Sequence, residues 1–172
     1  MTALQNIPLA AYPLGAGLLV TSSFLFGNVG LSLVGPLPII KGEIGTIELS
    51  TKSRLRIWRL FFDEAAFYVL RGTPLTMALH LAVPFLSPSP LARNLAIASA
   101  VWSALVIAYT GAAIQPTNKS LIALDDREVL AEAEDKEANR LIAQWDRLHK
   151  GRFLMYGGAW AAGLGALIAT LT

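Results

Sequence analysis

Three apolar stretches of bilayer-spanning length contain no charged residue at all. They run from Leu14 to Val34, from Asn94 to Gln115 and from Phe153 to Thr172. A helical span needs about 20 such residues. Lipid offers the backbone no partner but itself, so each stretch must be helical. A shorter stretch from Gly72 to about Leu86 has Pro74 near its start and Pro84 near its end, and carries His80. It is expected to recruit Phe61–Leu70, with Asp63, Glu64 and Arg71 on a protein-facing side. Charged residues make up 15% of the chain, against roughly 25% in soluble domains. The expected fold is all-α, a single integral membrane four-helix bundle over residues 1–172. Its spans are placed at about 14–36, 61–86, 94–115 and 152–172, and its loops at about 37–60 and 116–151.

Charge placement supports the second span. With four spans, the connections from Leu37 to Arg71 and from Pro116 to Arg152 share one side. They hold thirteen of the fourteen basic residues, leaving only Arg93 opposite. The positive-inside rule puts both connections in the cytosol and both termini on the non-cytosolic side. The first basic residue is Lys41, so the start of the chain does not read as a cleavable signal peptide.

Small residues suggest how the last two spans pack. Ala96, Ala100, Ala104, Ala108 and Ala112 recur every four residues, as do Gly157, Ala161, Gly165 and Ala169. Such stripes let backbones approach in lipid, and would also serve a homo-oligomer. Alanine is also simply common in such helices. Gly42–Thr51 reads as a loop or short hairpin. Leu121–Lys150 is charged and helix-prone; Leu141, Trp145 and Leu148 share a face of a helix that can run into the last span. Its acidic residues most simply make a solvated face.

Candidate chemistry lies at the cytosolic ends of spans three and four. Gln115-Pro116-Thr117-Asn118 ends one, and Trp145, His149 and Arg152 precede the other. Offsets of four and three place the latter on one helix face. If the two spans pack closely, Asn118 faces them. Each residue also has a plainer role. Tryptophan anchors at interfaces, arginine snorkels and asparagine caps helices. His80 is ionisable within a span, a position that is usually functional, although pairing with Thr76 accounts for it equally well. Asp63, Glu64 and Arg71 read as a salt-bridge cluster. The Asn118-Lys119-Ser120 sequon would lie in the cytosol, where it is not used. The chain has no cysteine and two histidines, with no paired metal-ligand spacing, so no metal is expected. No nucleotide motif or nucleic-acid site is visible.

Pro116-Thr117-Asn118 with Leu121, followed by Trp145-x-x-x-His149-x-x-Arg152 ahead of a final apolar helix, resembles the anthrone oxygenases. So does the opening span, GLLVTSSFLFGNVGLSLVGPLPII. The resemblance covers most of the chain. It implies an enzyme of polyketide tailoring that oxidises an anthrone to an anthraquinone with O2 as cosubstrate and no flavin, haem or metal. For such a substrate His149, Arg152 and Asn118 are the expected catalytic residues, as base and as donors to the oxyanion, and Trp145, Gln115, Thr117 and His80 are expected to bind the aromatic substrate. In a eukaryote the membrane would be that of the endoplasmic reticulum. A non-enzymatic membrane scaffold or small carrier is the alternative. A transporter fits less well, because the spans hold few polar residues and no repeat.

Overall fold

The computed structural model describes residues 7–46 and 48–172. Part of the segment read for a signal peptide, and Ile47 in the expected Gly42–Thr51 loop or hairpin, lie outside the described residues. All regular structure among the described residues is helical. In chain order it comprises α1 (Ala11–Leu33), α2 (Pro36–Ile40), α3 (Thr51–Leu86), α4 (Pro90–Tyr109), a π-helical turn (Thr110–Ile114), α5 (Gln115–Asp125) and α6 (Glu132–Leu171). Four stretches are long and apolar enough to cross a membrane: Ala11–Ile40, Thr51–Leu86, Pro90–Asp125 and Glu132–Leu171. Large apolar side chains such as Leu19, Leu75, Phe85, Val101 and Ile168 face outward, as a bilayer requires. α6, with 40 residues, is about 60 Å long at the helical rise and outruns a hydrocarbon core of about 30 Å.

Local chemistry sets the helix ends. Pro36 opens α2 at a position where its missing N–H costs nothing. Gly42, at φ +72°, closes it. There the Gly42 N–H donates to Ile39 at 3.0 Å and the Glu43 N–H donates to Pro38 at 2.8 Å. This pair of bonds is a Schellman motif, and its left-handed residue favours glycine. Ser50 accepts from the Ser53 N–H at 3.2 Å to start α3, and Ser89 accepts from the Ala92 N–H at 3.3 Å to start α4. Glu134 reaches back to the Ala131 N–H at 3.0 Å at the head of α6.

The third span was expected to stop at Pro116. Instead, helix continues through it to Asp125. Proline has no N–H for the carbonyl one turn earlier. The chain absorbs this just upstream with the π turn, where the Gln115 N–H donates to the Thr110 carbonyl. Such a turn accommodates one extra residue and rotates the downstream helix by about 100°.

The chain divides into two compact units. Unit 1 comprises the N-terminal stretch to Phe26, Val69–Ile107 and Leu154–Thr172. Its core includes Leu14, Val83, Ala96 and Ala166. Along the third and fourth spans the small-residue stripes fare differently from expectation. Ala96 and Ala100 are buried, but Ala108, Ala112 and Ala161 are exposed. A four-residue step overshoots the 3.6-residue turn by about 40°, so the repeat winds off the face. The buried faces use mixed steps instead: Ala92, Ala96, Ser99, Ala100 and Ser103 on α4, and Tyr156, Ala159, Gly163 and Ala166 on α6. Ser99 Oγ donates to the Ala159 carbonyl at 2.6 Å across this contact.

Unit 2 comprises Gly27–Tyr68 and Ala108–Phe153. Its core gathers Leu37, Ile40, Leu55, Trp58, Ile114, Leu121, Ile142 and Trp145. The two charged connections meet inside it. Lys41 Nζ pairs with Asp146 Oδ2 at 2.8 Å, and Lys150 joins the same oxygen at 2.9 Å. Lys52 reaches Asp125, and Arg54 donates to Asn139 Oδ1 at 3.2 Å. Burial alone would lower the Lys41 pKa, but hydrogen bonds to Asp146 and Glu43 outweigh it and hold it above the ordinary lysine value. Asp63 pairs with Arg59, one turn earlier at 2.8 Å, because a four-residue spacing brings the two side chains together.

Candidate functional site

Within unit 2, α5 and α6 bring together the polar residues singled out from sequence. Asn118 is 1% exposed. Its Oδ1 accepts the Trp145 indole N–H at 2.7 Å, and its Nδ2 donates to Gln115 Oε1 at 3.2 Å. Gln144 Nε2 donates to Thr117 Oγ1 at 3.2 Å, a second tie between the same helices. The rephased turn above Pro116 buries Thr117, Asn118, Leu121 and Asp125 together.

On α6, Trp145 and His149 stand one turn apart. Their rings stack with centroids 4.7 Å apart and planes 10° from parallel. Phe153, one turn further on, meets the imidazole edge-on at 5.7 Å. The imidazole is 1% exposed. The Asn28 backbone approaches it, but neither ring nitrogen closes a well-aligned hydrogen bond among the described residues. Arg152, also buried, and Asp146 are near enough to act on its charge, with opposite signs. The site thus holds a base, a cation and a carboxamide beside an indole.

Sequence reasoning missed the aromatic wall. Trp58 meets Trp145 edge-on at 6.0 Å and Phe61 does so at 5.9 Å. Trp58 also stacks on Phe62 at 5.0 Å. The signal was the spacing of Trp58, Phe61 and Phe62, one helical face among arginines. Tyr109 and Gly151 were missed too. The Tyr109 hydroxyl donates to the Leu148 carbonyl at 3.0 Å, and a Cβ at Gly151 would lie 2.5 Å from that hydroxyl. Glycine is required there to admit the phenol.

Two of the expected site residues have surroundings of their own. Trp145, expected to bind the aromatic substrate, is 2% exposed and the imidazole lies on its face. His80 was grouped with these residues, but it belongs to unit 1. Its proposed pairing with Thr76 is absent, since neither side chain has a hydrogen-bond partner among the described residues. Among the described residues, no three His, Asp or Glu side chains gather as a metal ion would require.

No curated protein and no solved structure matches the chain. A family model described as anthrone oxygenase matches residues 58–162. That match covers more than half of the sequence and takes in Trp58, Asn118, Trp145, His149 and Arg152. The chain belongs to the anthrone oxygenase family.

Proposed function

We propose that the protein oxidises an anthrone to an anthraquinone with dioxygen, using its own side chains and the substrate's electrons. One observation carries this reading: Trp145 is hydrogen-bonded to Asn118 and stacked on His149, so indole, carboxamide and imidazole form a single buried group. An anthrone has a doubly benzylic methylene conjugated to a carbonyl. His149 takes one methylene proton as general base. The resulting anthranolate gives an electron to O2, the radical pair joins as a peroxide anion, and this anion takes the proton back from His149 to become the hydroperoxide. Loss of water then leaves the quinone, so anthrone and O2 yield anthraquinone and H2O.

The neighbouring groups suit the charges that develop. The anthranolate oxygen and the reduced oxygen species are anionic. Arg152 stays cationic at any working pH. Asn118 has one amide hydrogen committed to Gln115, which leaves the second to donate. Fixed donors of this kind stabilise charge without reorganising. Because the imidazole covers the Trp145 face, substrate entry requires His149 to turn off the indole, which also frees the base. The aromatic wall of Trp58 and Phe61 then bounds a flat apolar guest. Gln115 and Thr117 hold α5 and Asn118 in place for this.

A membrane setting fits a greasy substrate. The positive-inside bias would put the two charged connections in the cytosol and both termini outside. A scaffold protein would not need a buried base beside a buried cation, and their convergence favours the enzyme.

The test is purified protein in lipid nanodiscs with emodin anthrone under oxygen, followed by quinone absorbance against a protein-free control. Turnover is expected to survive exhaustive chelation. His149→Ala or Arg152→Ala should abolish turnover while the protein remains folded and inserted. Loss on chelation, restored by iron or copper, would reject the mechanism.

A further inference from the structure

Unit 1 holds a polar column that the chemistry above does not use. Thr73, Thr76 and His80 lie on one face of α3 and are 2%, 1% and 0% exposed. Spacings of three and four residues align them over about 10 Å of helix. The imidazole is set between glycines of two other helices. A Cβ at Gly17 would overlap Nε2, and one at Gly163 would come within 3.0 Å of Cε1. Both positions leave room for the ring by lacking a side chain.

This arrangement leaves four side-chain atoms without a partner among the described residues: Thr73 Oγ1, Thr76 Oγ1 and both nitrogens of His80. Other hydroxyls in the same unit satisfy themselves on backbone carbonyls. Thr21 donates to Gly17 at 3.1 Å, Ser103 to Ser99 at 3.0 Å, Thr170 to Ala166 at 2.8 Å and Ser99 to Ala159 at 2.6 Å. Thr73 and Thr76 do not. Pro84 lies one turn beyond His80 within α3 and has no N–H, so the His80 carbonyl loses its usual helical donor as well. A neutral imidazole carries one donor and one acceptor in either tautomer. Lipid can satisfy neither, and an apolar residue would avoid the problem altogether.

We propose that Thr73, Thr76 and His80 form a water-binding site inside the apolar unit, with His80 as its proton-exchanging member. Water is small, both donates and accepts, and typically makes about three bonds when buried. It answers hydroxyls and imidazole alike, which a purely acidic or purely basic ligand cannot. Freed carbonyls beside proline in spanning helices are satisfied by water in the same way. Such a site would exist whether or not the oxygenase chemistry holds.

The chain has two histidines, so a His149→Gln variant leaves His80 as the sole reporter. That variant, labelled with 15N-histidine in lipid nanodiscs, should show NMR magnetisation transfer from water to the His80 ring. Adding Thr76→Val should reduce the transfer at least twofold, because the bound water loses a partner. In the otherwise native protein, Thr76→Val should lower the thermal midpoint by several degrees. A dry column predicts the reverse: no transfer, and a midpoint that rises as an unsatisfied hydroxyl is removed. Either result overturns the proposal, as does transfer unchanged by Thr76→Val. If that variant does not fold, the transfer measured with Thr76 intact decides alone.

Discussion

Asn118 joins the two helices of the site, accepting from Trp145 with one atom and donating to Gln115 with the other. Asn118→Leu would leave a buried indole N–H with no acceptor, which costs about 1–3 kcal/mol. Denaturant unfolding in detergent should show a loss of that size. Combined with Trp145→Phe, the losses should be non-additive by at least about 0.5 kcal/mol. Strict additivity would mean that the 2.7 Å contact contributes nothing. Trp145, His149, Arg152 and Asn118 were legible in sequence because motif spacing put them on faces at two helix ends. Trp58 and Phe61 were not, because the expected boundary at 60/61 put Trp58 in a charged loop and Phe61 in the second span. Only their folding together in the first turns of α3 shows that aromatics three residues apart share a side.

Neighbouring glycines of α6 separate the expected from the observed packing. The sequence stripe picks out Gly157, where an added Cβ meets nothing within 4 Å. Next to it, a Cβ at Gly158 would come within 2.7 Å of the Trp102 ring. Gly157→Ala should therefore be neutral or stabilising by up to about 1 kcal/mol, the helix-propensity gain. Gly158→Ala should destabilise by about 1–3 kcal/mol, as overpacking does. Thermal unfolding of the two variants checks this, and the opposite order would restore the four-residue stripe. Helix existence was legible from apolar length alone. Helix phase was not, because the 3.6-residue period turns a regular repeat away from any fixed neighbour.

Charge links the sequence's two polar connections across long separations. Lys41 and Asp146 are 105 residues apart and meet at 2.8 Å. Asp146→Asn should cost about 1.5–3 kcal/mol, the scale of hydrogen bonds to charged groups, since the Asp146 side chain is only 4% exposed. Chemical denaturation checks it, and a loss under half a kcal/mol would show the pair to be idle. The same contact requires both connections to lie on one face of a membrane. The chain has no cysteine, so Ser50→Cys and Arg127→Cys can be probed singly. A membrane-impermeant thiol reagent should label both from the same side of sealed vesicles, and Thr172→Cys from the other.

By itself the sequence determined the helical class, the separation of charge from apolar length, and the motif that marks the family. These depend on composition and on spacings within a turn or two, which a chain must obey before it packs. The tertiary structure decided which side of each helix faces inward. It continued helix across Pro116, laid an imidazole over the Trp145 indole, and set His80 between two glycines in the other unit. Those outcomes rest on contacts between distant segments, such as the 27-residue step from Asn118 to Trp145. Their geometry depends on helix phase and side-chain volume summed over several elements, which no local pattern encodes.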